Sequence, residues 1–145
     1  MKSSFALFAA CGILLLSLTA ILGLTVNGTQ GFARHFLLGV MASLFTCFVH
    51  VVAFVYFIVQ DKVIKQSVMH YGLDAAYAQE VDLLKLRVLK LSMIGIATII
   101  VTSGLGAAVG IAVPATAHLI AGFAAIPINA ILFVLQYAVV EEYGR

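Results

Sequence analysis

Four apolar runs divide the chain, covering approximately Phe5 to Val26, Phe36 to Val59, Leu86 to Val113 and Ala115 to Val140. A helix needs about 20 apolar residues to cross a bilayer core roughly 30 Å thick, so each run is long enough for one crossing. The pattern predicts an all-α integral membrane protein: four transmembrane helices in an up-down bundle. The first run follows Lys2, as a signal peptide would, but it exceeds the usual apolar region of about 7–15 residues. No small-x-small cleavage site follows it, and it is read as a retained helix. Between the second and third runs lies a polar loop from about 60 to 85. Its second half, from Leu73, lacks Gly and Pro and is predicted to extend helically into the third run, with Val81, Leu84 and Val88 on one face.

Composition supports this class. Of 145 residues, 63% are hydrophobic and 10% charged, with a mean hydropathy of +1.16, where soluble domains carry about 25% charged residues. No length remains for a sizeable soluble domain, so residues 1–145 form a single membrane domain. The net charge of +2 bears on topology and gives no support for nucleic-acid binding. Lys2, Lys62, Lys65, Lys85, Arg87, Lys90 and Arg145 fall on one side and Arg34 alone on the other. The positive-inside rule then places both termini and the 60–85 segment in the cytoplasm, in a bacterial inner membrane or its equivalent. Asn27-Gly28-Thr29 matches a glycosylation sequon on the outer side, a three-residue match of little weight. Membrane lipids and other membrane subunits are the expected partners.

The chain also resembles itself. Residues 12–46 slide onto 95–129 without a gap and match at Gly12/Gly95, Ile13/Ile96, Thr19/Thr102, Leu22/Leu105, Gly23/Gly106, Val26/Val109, His35/His118, Gly39/Gly122 and Ala42/Ala125. These are 9 identities in 35 positions, where such a composition gives roughly three by chance. The expectation is a tandem duplication of a two-helix hairpin, with repeat units at about 5–59 and 86–140. Each unit has two helices, so the copies enter the membrane in the same direction and are related by a two-fold axis along its normal.

That symmetry sets His35 and His118 at one depth on the outer side. His35, Gly39, Ala42 and Thr46 form a stripe on one helix, and His118, Gly122, Ala125, Asn129, Leu132 and Gln136 form another. Membrane haem b needs two neutral imidazoles from two helices, small residues beside the porphyrin, and a basic group for its propionates. His35 and His118 as iron ligands, Gly39 and Gly122 as the small residues, and Arg34 as the basic group supply that set. The competing reading is a pair of interfacial histidines inherited through duplication. His50 lies about nine residues, or roughly 13 Å, from the inner end of its helix. At that depth an ionisable group turns inward to a partner, with Ser17, Thr98 and Asn129 as candidates for a hydrogen bond. His50 as a cofactor ligand, quinone contact or proton relay is the weaker alternative. His70 is read as solvated.

Other chemistry is sparse. Cys11 and Cys47 fall inside apolar runs and behave as small apolar residues. No carboxylate lies within any run, which argues against ion-coupled transport. No Walker loop, H-E-x-x-H or G-x-S-x-G supports an enzyme class. Gly106-x-x-x-Gly110, Gly104 and the row Ala117, Ala121, Ala125 offer close-packing surfaces, and Pro127 is expected to kink the fourth helix. The first functional expectation is therefore a non-catalytic subunit or anchor of a larger membrane assembly, of respiratory or electron-transfer type. The alternative is a bis-His haem b or quinone-interacting electron-transfer protein, and a weaker one is a small channel or transporter.

Overall fold

The computed structural model describes residues 2–144 and is all-helical: α1 (Lys2–Leu24), α2 (Gly28–Tyr71), α3 (Ala76–Ala107) and α4 (Ala115–Tyr143). All four helices are long and apolar enough to cross a membrane. Each packs on the next and α4 closes on α1, so α2 and α4 stand diagonally across the bundle. Outward faces are apolar, with Leu14, Leu44, Ile100, Ile120 and Val134 exposed. A covering of that kind cannot face water without association, and it is consistent with an integral membrane protein.

The helices differ in length for reasons visible in the chain. At 44 residues, α2 runs about 66 Å at 1.5 Å per residue. It passes through the segment expected to be a loop, because residues 60–71 contain no Gly or Pro and supply a favourable Asp61–Lys65 pair at i,i+4. The break comes at Gly72, whose φ of 63° forms a left-handed cap with its N–H on the Val68 carbonyl. Asp74 then accepts the Ala76 N–H at 2.9 Å and starts α3. The polar connection thus shrinks to a turn of four residues, 72–75.

α1 starts and α4 ends near the level of Gln60 and Arg87. There the Tyr143 hydroxyl donates to Gln60 Oε1 at 2.7 Å, and Arg87 donates to Glu142 at 2.8 Å. Beyond that level α2 and α3 project as a pair for about 16 Å. Val81 and Leu84 are buried between them, as is Val88 nearer the bundle. Charges fasten the base of the projection: Lys65 lies 2.8 Å from Asp61 and 2.9 Å from Asp82, and Lys85 lies 2.7 Å from Asp61 and 2.6 Å from Asp82. Lys85 and Arg87 are both committed to carboxylates.

Burial follows the offset of the sequence repeat. Every buried residue of α2, namely Ala42, Thr46, Val49, His50, Ala53 and Phe57, has a buried counterpart 83 positions later in α4. Phe5, Ala9 and Gly12 of α1 correspond likewise to buried Val88, Ser92 and Gly95 of α3. α1 and α3 end at matching positions, Leu24 and Ala107. The connections differ, with three residues before α2 and seven, including Gly110 at φ 81°, before α4.

Candidate functional site

At the end of the bundle opposite the projection, His35 of α2 and His118 of α4 meet with ring centroids 6.0 Å apart and planes at 71°. Both are half-buried. His35 Nδ1 lies 3.1 Å from the carbonyl of Thr19 on α1, and His118 Nδ1 lies 3.1 Å from the carbonyl of Thr102 on α3. A carbonyl only accepts, so each Nδ1 carries the proton, and each neutral ring is left with its lone pair on Nε2. The ring edges press on glycines. A Cβ at Gly23 would stand 3.0 Å from His35 Cε1, and one at Gly106 would stand 2.7 Å from His118 Cε1. Thr19, Gly23 and His35 therefore make one device, and Thr102, Gly106 and His118 repeat it. Thr19, Thr102 and Gly23 are not distinguished by residue type alone, and Gly106 was expected to pack against another helix, although all four recur at the spacing of the histidines.

The other residues expected at this site are placed around it. Gly39 faces α1, where a Cβ would meet only Thr19 Cγ2 at 3.5 Å, while a Cβ at Gly122 would enter open space. Arg34 is exposed beside His35. Among the described residues no group of three or more His, Cys, Asp or Glu is assembled for a metal ion. Two imidazoles alone make half of a tetrahedral zinc site, whereas His35 and His118 would be enough to hold a haem iron, which would supply one-electron redox chemistry there. The donor set and the Nδ1–H locks suit such a group.

His50 lies 15 residues further along α2, about 22 Å from this pair, in a fully buried polar cluster. Its Nε2 is 2.9 Å from Asn129 Oδ1 and its Nδ1 is 3.1 Å from Gln136 Oε1. Both ring nitrogens are thus occupied, and neither is open to a metal or quinone. Of the three expected partners Asn129 is found, whereas Thr98 donates to its own helix at Ile94. Ser92 and Gln136 complete the cluster: Ser92 donates to the His50 carbonyl at 3.0 Å, and Gln136 Nε2 donates to Ser92 Oγ at 2.9 Å. Gln136 was legible as a polar residue on an apolar stripe. Ser92 was not, since a serine near a helix start is ordinarily solvated.

The small residues expected to mediate association are used largely inside the chain. Gly106 seats His118, Gly110 forms the turn, and Ala125 is buried against the other helices. Gly104 faces open space. α4 remains helical through Pro127.

No protein-family model matches the sequence, and comparison with curated proteins and with solved structures finds none similar to it.

Proposed function

We propose that the chain is a small electron-transfer protein of the membrane that binds haem b between His35 and His118. One observation carries this reading: two imidazoles from diagonal helices converge, each with Nδ1–H held by a backbone carbonyl and Nε2 left for iron. Outer-shell hydrogen bonds of this kind fix the tautomer and orientation of haem and metal ligands. Gly39 and Gly122 would be the small residues beside the group, and the exposed Arg34 would serve a propionate. The repetition of the Thr, Gly and His contacts, together with the matched burial of both hairpins, supports descent from a duplicated two-helix unit. Basic residues at the projecting end support an orientation with that end and both termini in the cytoplasm.

The test is optical. Protein purified from haem-replete membranes should show a Soret band that is lost in the His35→Ala/His118→Ala double variant. An unchanged spectrum in that variant, or no band in the parent, removes the proposal.

A second reading, a non-catalytic subunit or anchor in a larger electron-transfer assembly, is favoured by the projection. There Met69, Tyr71 and Tyr77 are 77%, 72% and 57% exposed beyond the end of the bundle. Native co-purification tests it, and a chain that migrates alone contradicts it. A channel is the least supported reading, because His50 and Phe133 stack across the bundle interior with centroids 4.5 Å apart.

A further inference from the structure

The hydrogen bonds around His50 have a direction, and following it leads to a proton. The Ser92 hydroxyl faces the His50 carbonyl at 3.0 Å and must donate to it. With that proton committed, Ser92 Oγ accepts from Gln136 Nε2 at 2.9 Å, which turns Gln136 Oε1 toward His50 Nδ1. On the other side Asn129 Nδ2 donates to the Ala125 carbonyl at 2.8 Å, which turns Asn129 Oδ1 toward His50 Nε2 at 2.9 Å. Amide oxygens only accept. Both ring nitrogens therefore face acceptors, and a neutral imidazole has one N–H to give.

We propose that His50 is a reversible proton-binding site in the bundle core, with Asn129 as the group that turns as the proton comes and goes. With the second proton bound, Nδ1–H donates to Gln136 and Nε2–H to Asn129, which is the arrangement observed. Without it, Asn129 rotates its amide, gives up the Ala125 carbonyl and offers Nδ2–H to the bare Nε2. Proton gain and amide rotation are then one event, with no covalent bond besides N–H made or broken.

The imidazole has an aromatic neighbour and, among the described residues, no counter-ion. Phe133 stacks on the imidazole at 4.5 Å and 24°, presenting the negative face of its ring. Gly95 lets the imidazole seat against the α3 backbone, where a Cβ would overlap it. Thr46, one turn away on α2, has a buried hydroxyl with no partner, spare polar capacity beside the site. No Asp or Glu lies in any of the four apolar runs, and Arg87 and Lys90 fall at the inner end of the third. Cys47, three residues from His50 on α2, and Cys11, beside Gly12 on α1, are half-buried thiols; α3 and α4 present Ser92, Gly95, Asn129, Phe133 and Gln136, none of which titrates. The site stands apart from the His35 and His118 pair and does not depend on haem.

Nitrogen NMR of histidine-labelled full chain in lipid nanodiscs tests it, with the His50 signals identified by their loss in His50→Gln. Between about pH 4 and 8 the folded protein should convert from one to two protonated His50 nitrogens, with the Asn129 amide signals moving over the same range. Asn129→Leu should lower the proton affinity about tenfold or more, a shift of one pH unit or more. Asn129→Asp, which keeps the size and adds a counter-charge, should raise it, and it serves if the leucine variant does not fold. A His50 that stays singly protonated until the bundle unfolds, or an affinity unchanged in Asn129→Asp, overturns the proposal.

Discussion

Gly95 of α3 lies so close to the imidazole of His50 on α2 that a Cβ at that position would overlap the ring. The two residues set how near α3 approaches α2 at the centre of the bundle. The equivalent Gly12 on α1 is under no such demand: a Cβ there would stand at ordinary contact distance, 3.5 Å from Thr46 Oγ1 and 3.7 Å from the ring of Phe133, the residue 83 positions after His50.

Replacing Gly95 by Ala should force α3 outward or His50 off its rotamer, at a cost of about 1–3 kcal/mol. Gly122→Ala, which adds its methyl to open space and removes a flexible residue from a helix, should be neutral or stabilising by up to about 1 kcal/mol. Reversible unfolding in detergent distinguishes the two. Equal effects contradict the contact.

The glycines beneath the outer histidines predict a graded effect on the ligand pair. Gly106→Ala places a methyl 2.7 Å from His118 Cε1, and Gly23→Ala places one 3.0 Å from His35 Cε1. Both should weaken haem retention, the first more than the second, without preventing folding. Bound haem per chain after detergent extraction measures this.

Much of this was readable from the chain, and the misses have local causes. Four helices follow from the apolar runs, and the equal depth of His35 and His118 follows from a gapless offset of 83 residues, whereas their facing each other does not. The continuation of α2 to Tyr71 was hidden because Lys62, Lys65 and Gln66 read as polar loop, while helix continuity there depends on Asp61 pairing with Lys65 and with Lys85 of α3. Ser92 and Gln136 joined the His50 cluster through contacts 42 and 86 residues apart, which helical periodicity does not report.

The charged base of the projection should respond to pH at both extremes. Hydrogen bonding from Lys85, and then from Lys65, holds the Asp82 carboxyl below its ordinary 3.8, down to about 2. Its contribution is complete above pH 3.8 and is lost as pH falls through about 2. Asp61 first, and then Asp82, raises the Lys65 and Lys85 amines above 10.5. Their contribution is present below 10.5 and is lost as pH climbs past the raised values. Spin labels at the exposed positions Val63 and Leu83 should show one fixed separation from about pH 4 to 10 and a broadened one outside that range. High salt should weaken the effect, because Lys65 and Asp82 are 40% and 41% exposed.

Within the same base, Asp61 is the hub, since it pairs with both lysines while its side chain is only 13% exposed. Asp61→Asn should loosen the projection more than Arg87→Gln, which breaks a pair whose side chains are 55% and 47% exposed. The same spin-label pair reads both variants, and an equal or reversed order contradicts the assignment.

The claim that His35 and His118 together hold one haem is tested most directly by titrating haem into the purified haem-free chain in lipid nanodiscs, with absorbance as the readout. The account predicts saturation at one haem per chain with a low-spin, six-coordinate spectrum. Either single variant, His35→Ala or His118→Ala, should give a five-coordinate spectrum or no binding, and His50→Gln should bind as the parent does. Saturable six-coordinate binding that survives both single variants, or no saturable binding by the parent, would contradict it.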